Sequence, residues 1–243
     1  MPTVIESLNR ALHKAMVSDE RVYVIGEDIL DPYGGAFKVT KGLSTAFPHR
    51  TLTTPVSEAG MIGIATGMAL RGLLPVVEIM FGDFLTLAAD QVINHMTKFR
   101  YMYNNQVSVP IVLRTPMGGR RGYGPTHSQT IEKLFMGSPG LRILAPSVLI
   151  DPGELLLLAI FEDDDPVLFI ENKIMYTQSV LGDDELNEFK DEYEIMILSE
   201  YTFNSLVLRA ISCVYCEPKS RINIKSVFFK MDILWFRKHF FCN

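Results

Sequence analysis

One carboxylate, Glu58, lies where a short segment rich in threonine gives way to a glycine-rich apolar stretch. The pattern predicts that this acid follows a strand and begins a helix, at the edge of an α/β sheet where ligands bind. A poorly solvated carboxyl group there can exchange a proton with a bound heterocycle, which is general acid–base chemistry. Alternatively, Glu58 only occupies the first turn of a helix, where the helix dipole favours an acid.

A second candidate, His127, follows a glycine-rich segment at 118–125 that also contains Arg120 and Arg121. Glycine and proline dominate this segment, which predicts a flexible loop. Because the loop follows a predicted strand, we expect His127 to face the same crevice as Glu58. Such a loop could close over an anionic substrate, or it could be a solvated surface loop without a role.

The scaffold for these residues is predicted by an alternation of β-branched runs and helical periods along 3–176. The runs indicate five strands and a short sixth before Glu58; the five are 21–26, 74–79, 109–114, 141–145 and 166–170. Helical periodicity predicts helices at 5–16, 59–70, 84–103, 129–136 and 153–161. The fold class is therefore α/β, a three-layer, doubly wound parallel sheet.

The predicted helix after Glu58 carries Gly60, Gly63 and Gly67. Glycine weakens an isolated helix, but small residues four apart allow a second backbone to approach closely. The face therefore suits either a crossing within the domain or a subunit interface.

Composition restricts the class of partner. The chain has 243 residues, of which 48% are hydrophobic, and a formal charge of -5. We expect no nucleic-acid binding, because no long basic run is present. The most apolar stretch, 59–81, is interrupted by Arg71, Pro75 and Glu78, so we expect no membrane span. With no signal-like start, the expected location is cytoplasmic.

The end of the chain differs in character. We predict a first domain at 1–180, an acidic linker at 181–193 and an incomplete second α/β unit at 194–243. Cys213 and Cys216 form a CxxC pair that could bind zinc with Cys242 and His239, or could be ordinary buried thiols.

Seven ordered motifs resemble one known family, the beta subunits of the decarboxylase components of 2-oxoacid dehydrogenases. These thiamine-diphosphate enzymes act on pyruvate, branched-chain 2-oxoacids or acetoin. The motifs are Gly26-Glu27-Asp28, the segment 34–43, Thr54-Pro55-Val56-Ser57-Glu58, the segment 90–94, Thr126-His127-Ser128-Gln129, Ser138-Pro139-Gly140-Leu141 and the segment 172–176.

The resemblance implies that 1–180 is a transketolase-like pyrimidine-binding domain. Glu58 would then hydrogen-bond the aminopyrimidine ring of thiamine diphosphate and favour the imino tautomer that activates the thiazolium. Phe84 would lie against that ring with Val56 and Met80 nearby, although all three could equally be core residues. His127 would line the reaction cavity.

Metals are implied in two places. The resemblance suggests a potassium site made by carbonyls of the residues at Ile111, Ala159, Ile160, Asp163 and Asp165, with the turn around the last two one residue longer than usual. The Gly-Asp-Gly motif that anchors the diphosphate through magnesium is absent, and Gly82-Asp83-Phe84 is its nearest match. An alpha subunit would therefore supply the Mg²⁺ site, in an alpha-two beta-two tetramer.

The implied function is oxidative decarboxylation of a 2-oxoacid such as pyruvate, with acyl transfer to the lipoyl group of an acyltransferase component. One alternative is half of a split transketolase-like or synthase thiamine enzyme. Another is a truncated, non-catalytic binding or assembly module. Which 2-oxoacid is used does not follow from the sequence.

Overall fold

The computed structural model describes residues 1–182 and 184–185, and Met1–Val180 form one compact unit. The predicted second unit at 194–243, most of the predicted linker at 181–193 and the three cysteines lie outside the described residues. The domain division therefore stays a prediction.

Six strands form one all-parallel sheet in the order β2-β1-β3-β4-β6-β5. Every predicted strand is present, and the predicted parallel α/β fold is confirmed. The strands are β1 Val22–Gly26, β2 Thr51–Thr53, β3 Leu74–Glu78, β4 Val112–Met117, β5 Arg142–Leu144 and β6 Val167–Asn172.

Apolar side chains of the sheet point alternately to two cores, as expected for strands buried on both faces. In β1, Val24 belongs to the core beneath α1 and α5, whereas the next residue, Ile25, belongs to the core beneath α3. The sheet is therefore the middle of three layers.

Three predicted helices are present at nearly their predicted bounds, as α1 Val4–Ser18, α3 Glu58–Leu70 and α5 Pro152–Phe161. Each begins at a side-chain cap that satisfies an otherwise unpaired backbone N–H. Thr3 and Glu6 form a capping box at α1, and the Ser57 hydroxyl accepts a hydrogen bond from the Gly60 N–H at α3. Two single-turn helices, α2 Leu43–Ala46 and α4 Phe99–Met102, complete the set of α-helices among the described residues.

The prediction of one helix over 84–103 was wrong. The chain there forms a 3₁₀ segment at Gly82–Ala88, a π-helical segment at Gln91–Met96 and then α4. Apolar periodicity therefore predicts helical turns here but not their division into three helix types.

The predicted helix over 129–136 is also wrong, because only a single 3₁₀ turn forms there, at Glu132–Leu134. Gly137 and Gly140 have φ angles of 87° and 84°. A left-handed residue ends a helix, so these glycines close the segment soon after it starts.

A buried charged cluster ties the three central strands together. Arg114 on β4 donates to both carboxylate oxygens of Glu171 on β6, at 2.7 and 2.8 Å, and to Glu78 on β3 at 3.0 Å. The Tyr176 hydroxyl donates to Glu171 at 2.5 Å. Burial raises the pKa of Glu78, and the Arg114 guanidinium partly opposes that shift. Because every member has a partner, the cluster fixes the carboxyl ends of β3, β4 and β6 relative to one another.

Within the described part of the chain, the search for a helix long and apolar enough to cross a membrane found none.

Candidate active site

The candidate residues lie beyond the carboxyl ends of neighbouring parallel strands. Glu27 directly follows β1, Glu58 begins α3 after β2, Met80 follows β3, and His127 is on the long connection after β4. Parallel strands bring these ends to one edge of the sheet, which is where α/β folds bind ligands.

Glu58 is buried, with 5% of its surface exposed, and is the first residue of α3. The Ser57 cap bonds the helix backbone, so the Glu58 carboxylate is not needed as a cap. Among the described residues, no group donates a hydrogen bond to this carboxylate. A mostly buried carboxylate without a donor from the described chain is available to a polar ligand that enters from outside the chain.

A second carboxylate, Glu27, lies beside Glu58. It is 6% exposed, and its Oε1 accepts a hydrogen bond from the Ser57 N–H at 3.1 Å. Burial, and then the charge of Glu58, raise the pKa of Glu27 above its usual range. Two acids in one poorly solvated place, one of them with a raised pKa, mark a candidate site for proton exchange.

His127 lies in an aromatic group further along the same edge. Its ring is edge-on to Phe81 and Phe84, with centroid distances of 4.7 and 5.1 Å. The Thr126 hydroxyl is 2.9 Å from Nδ1, and Lys173 donates to the His127 carbonyl. The ring is therefore held in a fixed orientation by its neighbours.

Glu58 and His127 share the edge but do not touch among the described contacts. Helix α3 and the 3₁₀ turn that contains His127 both pack against the 3₁₀ segment Gly82–Ala88, so the two candidates flank the same part of the edge.

The three residues that the resemblance places against the cofactor ring lie in different environments. Phe84 is half-buried and packs on the core beneath α3, and Met80 is half-buried beside it in sequence. Val56 is 82% exposed, so its interpretation as a core residue was wrong. Its role in binding a cofactor stays a prediction.

The loop at 118–126 has left-handed φ angles at Gly118, Arg120, Gly122 and Gly124. Arg120 and Arg121 are exposed, whereas Tyr123 folds back, with its ring 5.6 Å from that of Phe81. The predicted loop is confirmed. Its closure over a substrate stays a prediction.

Gly82-Asp83-Phe84 is not built to hold a metal. A Cβ at Gly82 would overlap the Met117 side chain, so this glycine is required for packing. Asp83 is buried and uses Oδ1 to accept from the Gln129 side chain at 2.7 Å. Within the described ranges, no three His, Cys, Asp or Glu side chains are grouped to hold a metal ion.

The predicted potassium ligands lie around the end of α5 and the start of β4. The Ile111 carbonyl already accepts from the Val167 N–H at 2.8 Å, and Ala159 and Ile160 are buried in the helix. The carboxylates of Asp163 and Asp165 pair with Arg142 and Arg100. Only backbone carbonyls are therefore offered to a cation there.

Three residues at this edge were not recognised from the sequence as site residues, namely Glu27, Asp83 and Lys173. Each is a charged residue that follows a strand within five positions, which places it at the ligand-binding edge. That position was the available signal, but only the structure shows that all three are buried.

A parallel sheet with a buried acid beyond its second strand defines an α/β domain with a candidate ligand site at one edge. Residues 1–178 match the family model described as "Transketolase, pyrimidine binding domain", and the chain belongs to this family.

The relatives that this chain matches are named as beta subunits. The chain is 45% identical over 178 residues to the pyruvate dehydrogenase E1 component subunit beta-2, mitochondrial, of Oryza sativa subsp. japonica, covering 73% of this chain and 47% of the relative. It is 43% identical over 183 residues to the acetoin:2,6-dichlorophenolindophenol oxidoreductase subunit beta of Bacillus subtilis (strain 168), covering 70% and 53%. The chain thus spans about half the length of the curated relatives it matches.

The fold is also similar to a solved structure titled "Split gene transketolase, inactive beta4 tetramer". The TM-score is 0.55 at 19% identity, covering 70% of this chain and 52% of that chain. This likeness supports the three-layer fold.

Proposed function

We propose that this chain is the pyrimidine-binding half of a thiamine-diphosphate-dependent 2-oxoacid dehydrogenase, acting as a beta subunit. The observation that carries the proposal is Glu58, a buried carboxylate at the ligand-binding edge without a hydrogen-bond donor from the described chain. The names of the relatives support the same reaction class.

The site fits an aminopyrimidine. Glu58 would accept a hydrogen bond from the ring nitrogen, and Phe84 would pack against the ring, with Met80 and Val56 beside it. When bound, thiamine diphosphate supplies the nucleophilic carbon and the electron sink that loss of carbon dioxide requires. Glu58 would share a proton with the ring, beside Glu27, whose pKa is raised by burial and by the charge of Glu58.

His127 would line the cavity where the substrate reacts. Its half-buried ring can donate or accept a proton at one nitrogen while Nδ1 contacts the Thr126 hydroxyl. Its ring lies 5.1 Å from that of Phe84, between centroids, which would bring it beside the bound cofactor and within reach of the substrate or lipoyl group.

A partner chain would complete the site. Asp83 is bonded to Gln129 and Gly82 is packed on Met117, so this edge lacks a place for a metal-bound diphosphate. We therefore assign the Mg²⁺ site to an alpha subunit, in an alpha-two beta-two assembly, with a lipoylated acyltransferase as acyl acceptor. The names of the relatives as subunits support this assignment.

Two further assignments belong to the same proposal. Potassium would be bound by the carbonyls at Ile111, Ala159, Ile160, Asp163 and Asp165. A cytoplasmic location stays a prediction, and the relative from rice is named as mitochondrial.

The test is reconstitution. The full chain would be mixed with a cognate alpha subunit, thiamine diphosphate and magnesium, and 2-oxoacid decarboxylation would be followed with an artificial electron acceptor. Glu58→Gln removes the acid but keeps the shape, and we expect activity to fall about 100-fold or more. Glu20→Gln, on an exposed acid, is the matched control and should keep full activity.

Full activity of Glu58→Gln would refute the role of this carboxylate. If wild type and alpha subunit co-elute but only ketol transfer is observed, the split transketolase-like alternative is correct. If the chain never associates with an alpha subunit, the non-catalytic module is favoured.

A further inference from the structure

Loop 118–126 is fastened to the sheet by two buried charged residues that the proposed reaction does not use directly. Lys173, just after β6, has no exposed surface, and Asp83, after β3, is 7% exposed. Buried charges are costly and persist where their bonds fix something.

Lys173 is bound to the base of the loop. Its Nζ donates to the His127 carbonyl, and its backbone N–H donates to the Met117 carbonyl at 3.1 Å. The same ammonium lies 5.1 Å from the Phe81 ring centroid and 5.8 Å from that of Tyr123, within the range of a cation–π contact. One side chain thus holds the loop at its His127 end and at Tyr123.

Asp83 holds the residue two positions beyond His127. Its Oδ1 accepts from both the Gln129 backbone N–H, at 3.3 Å, and the Gln129 side chain, at 2.7 Å. Gly118 at the other end of the loop donates to the Gln129 carbonyl at 3.1 Å. The two ends of the loop are therefore closed on each other by Gln129, which Asp83 fixes.

The two charges also act on each other. Burial lowers the pKa of the Lys173 amine, and the Asp83 carboxylate opposes this shift by favouring the charged form. Asp83 Oδ2 is buried and has no hydrogen-bond partner among the described residues. The Asp83 carboxylate thus favours the Lys173 ammonium in this apolar, aromatic surrounding, whereas the charge of Arg121 on the loop lowers the pKa of Lys173 further.

We propose that Lys173 and Asp83 are positioning residues, which hold the His127 end of loop 118–126 against the aromatic group while the arm with Arg120 and Arg121 is exposed. This rests on the proposed function only for the role of His127. The fastening of the loop is independent of it.

The first test does not require activity. Trypsin cleaves after Arg120 and Arg121 only when the arm can adopt an extended conformation in the protease, so a fastened loop is cut slowly. In the full chain under native conditions, we expect Lys173→Met to increase the cleavage rate at these two arginines by about tenfold or more, measured by mass spectrometry of the fragments. Cleavage after Arg71, at the end of α3, should be unchanged.

Lys173→Arg keeps a donor and should be cut at a rate between those of wild type and Lys173→Met. Asp83→Asn keeps an acceptor for Gln129 but removes the charge, and should also be cut faster. Lys14→Met, on a residue with 65% of its side chain exposed, is the matched control and should match wild type. Equal loop cleavage in wild type, Lys173→Met and Asp83→Asn would overturn the proposal.

The second test concerns the reaction. If Lys173 acts through His127, Lys173→Met should lower kcat with little change in KM, and the double variant with His127→Ala should be no slower than His127→Ala alone. If the rate losses of the two single variants multiply in the double variant, Lys173 does not act through His127. If wild type is inactive, the proposed function fails, and the protease rates still decide whether the loop is fastened.

Discussion

At the residue scale, the pair Glu27 and Glu58 sets the chemistry of the site. Both are buried at one strand edge, where burial and then the charge of Glu58 raise the pKa of Glu27. A neutral side chain in place of Glu27 should therefore stabilise the chain, by an amount that depends on pH.

We predict that Glu27→Gln stabilises the chain at about pH 8. The folded-state pKa of Glu27 is raised, so the folded state binds its proton more tightly than the unfolded state does. Stability is then lost as pH rises from the unfolded pKa through the folded pKa. The amide keeps an acceptor for the Ser57 N–H, so the gain should be on the order of 1 kcal/mol.

Urea unfolding of the variant and of wild type at about pH 8 and about pH 4 measures this gain. The difference should be largest at the higher pH and should shrink at the lower pH, where Glu27 takes up its proton. Glu20→Gln is the control and should change the unfolding free energy by less than about 0.5 kcal/mol at both values. A gain that is equal at both pH values would argue against the like-charge explanation.

Individual site residues could be predicted only where a motif or a strand end marked them. Glu58 was identified by its position between a strand and a helix, and its burial agrees with that position. The burial of Lys173 could not be predicted, because a lysine after a strand is usually exposed and its ring contacts come from distant segments. Val56 was misassigned as a possible core residue because an apolar side chain is buried only if something covers it.

At the element scale, α3 has one exposed stripe, formed by positions 57, 60, 64, 67 and 71. A Cβ at Gly67 would have no neighbour within 4 Å among the described residues, whereas one at Gly63 would lie 3.5 Å from Gln91 Oε1. Another segment of the same domain therefore packs on α3 at Gly63 but not at Gly67. The open position is available to a second chain.

We predict that Gly67→Ala stabilises the isolated chain by about 0.5–1 kcal/mol, because alanine is the better helix former and has free space there. Urea unfolding measures the change. If a partner backbone contacts this position, the same variant should bind an alpha subunit more weakly, by isothermal titration. Unchanged affinity together with the gain in stability would place the partner elsewhere.

Strands were predictable and two helices were not, for a physical reason. Buried parallel strands need nearly continuous apolar runs, and those at 74–79 and 166–170 have few competing interpretations. The segment 84–103 has helical periodicity, but its turns change between 3₁₀, π and α geometry. A hydrophobic pattern does not distinguish these helix types over a few turns.

At the scale of the whole molecule, large apolar side chains remain exposed around α3. Val56 before the helix, Ile64 within it and Leu87 on the adjacent 3₁₀ segment are 82%, 58% and 64% exposed. α3 packs against that segment, so the three belong to neighbouring elements. Such a surface suits the association with an alpha subunit that we propose.

We predict that Ile64→Asp abolishes co-elution with an alpha subunit in size-exclusion chromatography, because a charge would be desolvated in the interface. The folded chain alone should be little affected, since Ile64 faces solvent there. Leu158→Asp, on the 45% exposed Leu158 of α5, is the matched control and should still co-elute. Co-elution of both variants would exclude the α3 surface as the contact.

The charged cluster around Arg114 has a thermal consequence. Hydration of charged groups becomes less favourable on heating, so the penalty for burying Arg114, Glu78 and Glu171 decreases as temperature rises, while the benefit of apolar burial levels off. The three central strands should consequently be the last part of the sheet to separate in a heated sample. The edge strand β2, which contains only three residues, should melt earlier.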